Sequence, residues 1–353
     1  MLMRTMLAVS ASLALAMVPG CGVSTHTAYV TTPLNDGVLA FRVSAATGRL
    51  SQVPGSPYAA GISPTAVVVR SNRKFAYVTN GGEADISEFT VDSFGKLTEV
   101  MPRTRTGLNP SSLALDPSGD FLYVTNAVSR TLSVFAVDAS SGALKEAPGS
   151  PYATGFNPVR VAITPTGKFL YVANGSGVSI SGFAIASGAL TPVPGSHKPV
   201  GNGPNWIAFD PAGKFMYVAS LLDSNFSGFS VDQNTGALTA MVGSPFLAGT
   251  NPSSLAVSST SKYLYVTNLT SNNISVFTLD PMSGLPTEIV GSPFATGKGP
   301  AFVLTDPSAL YVYVGNQTDH NIWSYQVQAF TGMLLNVGAA DTLSSSTTMF
   351  LEQ

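Results

Sequence analysis

The chain has 353 residues, with 17 lysines and arginines against 19 aspartates and glutamates, for a formal net charge of −2. Charged residues make up 10% of it, where an ordinary soluble domain carries roughly a quarter. With no basic run there is no electrostatic footprint for a phosphate backbone, so nucleic acid is excluded as a partner, while an apolar content of 44% is ample for a large core.

Residues 1–20 read as a signal peptide. Arg4 gives a short basic start, and "MLAVSASLALAMV" is an apolar stretch shorter than the roughly 20 residues that cross a bilayer. The stretch ends in "VPGCG", where Cys21, the only cysteine, follows Gly20. A small residue before a lone cysteine resembles the lipobox of bacterial lipoproteins. That resemblance implies acylation of Cys21, a tether over residues 21–26, and an exported protein held at the cell envelope, touching the membrane only through its N-terminal lipid. An ordinary signal peptide with an incidental cysteine is the alternative. One cysteine allows no intramolecular disulfide, so the fold must hold by burial alone.

From Thr27 onward one phrase recurs. Aligned tyrosines stand at 29, 77, 123, 171, 217, 265 and 313, as YVTT, YVTN, YVTN, YVAN, YVAS, YVTN and YVGN. A proline precedes each of the last six by the same interval: Pro64, Pro110, Pro158, Pro204, Pro252 and Pro300. Within one period, "SSLALD" predicts a short strand and "DPSG" a type I turn. "FLYVTN" predicts a second strand, apolar throughout because it is covered on both faces. "RTLSVFAVD" alternates as a third strand, and an "SSG" turn leads to a weaker fourth. Four short strands per period of about 40–50 residues match a propeller blade. The sequence therefore predicts an all-β, seven-bladed β-propeller of four-stranded antiparallel blades, forming one domain over residues 27–353.

The first tyrosine lacks an upstream strand, and "STTMFLEQ" at the C-terminus lacks a second one. Thr347 to Leu351 is expected to supply the innermost strand of the blade begun by "TAYVTT", closing the ring and removing two exposed sheet edges.

The YVTN phrase, its period and the "GxL" turn resemble the YVTN-repeat propellers, and among them the seven-bladed lactonase family of the 6-phosphogluconolactonase type. The repeated "GSPYATG" (149–155) resembles a secreted subgroup. The resemblance implies opening of a lactone by a His, an Arg and a Glu gathered at one mouth of the channel. Here the matching blade reads "GPNWIAFDPAGKFMYVASLL", which sets Asn205, Trp206 and Leu221 at those positions. The residues two after each repeat proline are Ala66, Ser112, Arg160, Trp206, Ser254 and Phe302, with Thr348 as the seventh.

The candidate ligand-binding residues at the mouth are therefore Arg160, Asn205, Trp206 and Phe302, the strand-ending Asn80, Asn126, Asn174, Asn268 and Asn316, and Glu83 as the nearest carboxylate. Aromatic faces, amides and one cation suit a small polar ligand, a carbohydrate or a peptide. The competing reading is that Trp206 and Phe302 plug the channel and the asparagines only cap turns. His26, His197 and His320 fall in the tether and in loops, and no cluster has metal-ligand spacing, so no catalytic residue, cofactor or metal is expected. The sequence alone points to a monomeric, non-catalytic binding or interaction module. The alternatives are a lactonase-type hydrolase with an altered site and a surface-layer component.

Overall fold

The computed structural model describes residues 25–342, 345, 346 and 348–351; Cys21, the signal segment and Thr347 lie outside them. The described residues form seven antiparallel sheets. In the third blade the strands run from the axis outward as Pro110–Leu115, Phe121–Asn126, Thr131–Val137 and Leu144–Glu146. The inner strands of blades two to seven are Pro64–Val69, Pro110–Leu115, Pro158–Ile163, Pro204–Phe209, Pro252–Val257 and Pro300–Thr305. Blade one takes its inner strand, Met349–Leu351, from the C-terminal end. It pairs Ala28 with Leu351, Tyr29 with Phe350 and Val30 with Met349, which closes the ring. The partner strand, Thr25–Thr32, begins two residues earlier than expected, so His26 belongs to the sheet and not to a tether.

The repeated phrase is explained at the blade junctions. All seven tyrosines are fully buried. The aromatic two residues before each of the last six lies over the turn glycine of the next blade. A Cβ on Gly142 would fall 2.4 Å from the Phe75 ring, and one on Gly48 would fall 2.2 Å from Tyr311 across the closing junction. Those glycines also hold φ of 75° and 65°, a region that side chains disfavour. The Tyr77, Tyr171 and Tyr217 hydroxyls donate to the turn carbonyls of Gly142, Gly236 and Gly284 at 2.6–2.7 Å. In blades six and seven a tyrosine replaces the phenylalanine. Tyr263 and Tyr311 then donate to Ala329 and Ala46 of the next blade's turn, and Tyr265 and Tyr313 keep unpaired hydroxyls.

The fourth strand differs from expectation in five blades, where two short pieces share the place of one. In blade three Leu144–Glu146 and Tyr152–Ala153 both pair with Thr131–Val137. Between them runs the "GSP" loop. Its serine hydroxyl accepts a third-strand N–H that the interrupted ladder leaves over: Val134 to Ser150, Gly228 to Ser244 and Val276 to Ser292, each at 3.0 Å. Blade two keeps one unbroken outer strand, Leu97–Arg105.

Candidate functional site

The ring has two faces. Turns joining inner to second strands define a turn face, and the Asn-ended second strands and crossover loops define a loop face. An axial cavity of ≈ 740 Å³ reaches from the level of Arg160 and Thr348 to the turn face, where Pro117, Pro165, Pro211 and Pro307 form its rim. Its wall is mostly aliphatic, from residues such as Val68, Ala162 and Leu304, with Asp210 and Asp306 near the mouth. Of the residues two after the repeat proline, Ala66 and Arg160 line the cavity, and of those four after, Val68, Ala114, Ala162, Ala256 and Leu304 do. Small side chains at the latter, Ala114, Ala162 and Ala256, leave the space open. Ala114, Ala162, Ala208 and Ala256 share that repeat position, a sequence signal that could have announced the cavity.

Among the described residues lining this space, Arg160 is the one cation, and Asp210 and Asp306 are the carboxylates. Arg160 stacks its guanidinium on the neighbouring blade's Trp206, with Cζ 3.7 Å from the ring centroid. Its Nε is sealed from solvent without a hydrogen-bond partner, and among the described residues no carboxylate lies within ion-pair distance. An edge of the side chain meets the cavity. Removal from bulk water pulls the guanidinium down to about 10, so it is still a cation at neutral pH.

The other expected mouth residues go elsewhere. Phe302 is fully buried over Gly315, where a Cβ would sit 2.0 Å from its ring; the glycine of "YVGN" is the space it occupies. Asn205 donates to the Ser253 carbonyl of the next blade at 2.8 Å. Ser111 makes the equivalent bond to Pro158 at 2.6 Å, so Asn205 is a blade link.

Asn80, Asn126, Asn174, Asn268 and Asn316 are all fully buried on the loop-face side. Their amides donate into the third strand: Asn80 to Asp85 and Ser87, Asn126 to Thr131 and Ser133, Asn174 to Ser179 and Ser181. Asn268 and Asn316 donate to Asn273 and Asn321. The last glycine of each "ATG" packs against such an amide; a Cβ on Gly155 would lie 2.5 Å from that of Asn174. These asparagines hold the scaffold and do not face the cavity.

Glu83 is likewise separated from Arg160. Its carboxylate accepts from Arg103 at 2.6 Å and from the Ile62 N–H at 3.1 Å on the rim of blade two. His197 and His320 are exposed in loops, outside the cavity. Among the described residues no group of three or more His, Cys, Asp or Glu is placed to hold a metal ion.

The family model described as "Lactonase, 7-bladed beta-propeller" matches residues 22–162 and 157–350. No curated protein sequence matches the chain. Among solved structures, a Bacteroides fragilis protein with a provisional 6-phosphogluconolactonase assignment is similar at 22% identity and a TM-score of 0.84. That match covers 95% of this chain and 99% of the other. The periplasmic gluconolactonase of Pseudomonas aeruginosa is similar at 17% identity and a TM-score of 0.79, covering 94% and 99%. A Lactobacillus plantarum protein gives 20% identity and a TM-score of 0.80, covering 94% and 100%. At these identities the likeness speaks for the fold.

Proposed function

We propose, from the premise that this chain belongs to the seven-bladed lactonase propeller family, that it is a lactone-directed hydrolase working in the axial cavity around Arg160. This reverses the emphasis that residues 205, 206 and 221 suggest on their own. The observation that carries the reading is the unpaired Arg160 guanidinium stacked on Trp206 at the inner end of the cavity. Opening a lactone places negative charge first on the carbonyl oxygen and then on the product carboxylate. A pre-positioned cation stabilises both. Asp210 and Asp306, the carboxylates of the cavity wall, stand at its mouth, four residues along the strands beyond the level of Arg160 and Trp206, too far to draw a proton from a water attacking a carbonyl held by Arg160. Both cap their own turns: Asp210 accepts the Phe215 and Ala212 N–H groups at 2.7 and 3.2 Å, and Asp306 accepts the Tyr311 N–H at 2.7 Å and the Ser308 hydroxyl. The aliphatic wall suits a small ring with few charges. A single cation favours a monoanionic product over a phosphorylated one.

Export and a lipid anchor at Cys21 belong to the same proposal; the "VPGCG" sequence and the periplasmic gluconolactonase among similar folds support them. A full-length Cys21→Ser protein should lose lipid labelling and most of its membrane recovery. Equal recovery of both forms would show that acylation is not the anchor.

The activity is tested by acid release at constant pH from gluconolactone and 6-phosphogluconolactone. We expect turnover above the spontaneous rate with the first, lowered about 10²–10³-fold by Arg160→Met, as for loss of an oxyanion-stabilising group. Absence of turnover across unphosphorylated lactones returns the molecule to the class of binding modules.

A further inference from the structure

A second opening of ≈ 670 Å³ lies on the turn face, between blades one and two. It is lined by Thr27 and Arg42 of blade one and, from the two adjacent turns of blade two, by Asn72, Arg73, Lys74, Asp92 and Phe94. In a chain with 17 lysines and arginines, three of them meet at this cleft. Asp92 faces them but is engaged locally, accepting the N–H groups of Phe94 and Lys96 at 2.8 and 2.9 Å. Phe94 is 66% exposed at the lip, and the Arg42 guanidinium stands 5.9 Å from its ring centroid. An exposed aromatic among cations suits a boundary where charge and hydrocarbon meet.

We infer that this cleft receives the phosphate groups of an anionic lipid surface, with Phe94 entering the headgroup region. Charge complementarity supports the occupant, since Arg42 and Lys74 present two exposed cations beside Asp92 on a molecule of net charge −2. The path of the chain supports it too. Thr27 lines the cleft, and Cys21, the lipid anchor proposed above on which this inference rests, stands six residues before it. Even fully extended, that connection spans at most about 20 Å. The inference concerns a surface apart from the axial cavity and stands whether or not the cavity opens lactones.

The test is co-sedimentation of the full chain with vesicles of phosphatidylcholine alone and of phosphatidylcholine mixed equally with phosphatidylglycerol. The N-terminal lipid anchor gives the same baseline on both. The cleft should add affinity only on the anionic vesicles, and that increment should shrink with added salt. Each cation near such a surface contributes about fivefold, so Arg42→Gln combined with Lys74→Gln should lower the increment about thirtyfold. Phe94→Ser should lower it further, and thermal stability should be unchanged because all three side chains are exposed. An increment that survives the double substitution would overturn the proposal. So would displacement of the wild type by inorganic phosphate but not by chloride of equal ionic strength, which would mark a site for soluble phosphate.

Discussion

Two arginines, Arg103 on the rim of blade two and Arg160 at the axis, show how differently one scaffold can hold a charge. Arg103 reaches Glu83 at 2.6 Å, Glu99 at 2.7 Å and the Ala60 carbonyl at 3.1 Å, so every edge of its guanidinium is bonded. Its acidic partners raise its affinity for the proton, chiefly the bond to Glu99. Arg160 has an aromatic face and no counter-charge, and burial lowers its affinity for the proton. A paired charge closes a loop onto its blade. A cation whose Nε is sealed from solvent without a partner costs stability, and the same sealing strengthens its pull on an incoming anion. Glu83, Asp85, Glu88, Glu99, Arg103 and Arg105 concentrate on blade two, and there charge works as structure. At the axis one charge stands ready for a ligand.

The coarsest way to break this comparison is to remove the frame that both regions share. Deleting residues 346–353 takes away Met349–Leu351 and leaves two sheet edges unpaired. The expected result, read by calorimetry and gel filtration, is loss of a cooperative transition together with aggregation. A monomer with an unchanged melting curve would show that the strand is dispensable.

A smaller effect is expected at blade two. Arg103→Met leaves Glu83 and Glu99 without their partner, and because all three groups are partly solvated the loss should be about 1 kcal/mol. Thermal unfolding should register it, while lactone turnover should not change.

The smallest and most specific effect concerns Glu88, a buried carboxyl facing Thr104 at 2.5 Å. Burial raises it above its ordinary value of 4.5. A raised folded-state value means that the protonated carboxyl is the better fit. That contribution is full below 4.5 and fades as pH climbs through the raised value. Glu88→Gln should therefore stabilise the protein at neutral pH, with the gain vanishing on acidification below 4.5. Melting curves across that range check the sign, and a variant less stable at neutral pH would contradict it.

The fold was legible because each period repeats one packing problem: a buried tyrosine, an aromatic two residues earlier, and the next blade's glycine beneath it. Closure was legible because half a motif stood at either end of the chain. The interrupted fourth strand was not, since "GSPYATG" shows its turn residues but not the third-strand N–H groups that its serine serves. At the site, Arg160 and Trp206 were found together because they share a ring position. Phe302 shares it too, yet a neighbouring glycine gave its ring somewhere else to go. The pairing of Glu83 with Arg103 joins a loop to an outer strand, and no local pattern announces it. The strand-ending asparagines look like ligands in the sequence because they are regular, and that regularity reflects a structural duty.

Arg160 is the proposed anchor for an anion in the axial cavity. Calorimetric titration with gluconate, the ring-opened product of gluconolactone, tests this without requiring turnover, on wild type, Arg160→Met and Arg103→Met at matched pH. Wild type and Arg103→Met should bind alike. Arg160→Met should bind at least about tenfold more weakly and melt no lower than wild type, since it removes an uncompensated buried charge. Equal binding by wild type and Arg160→Met would contradict the account.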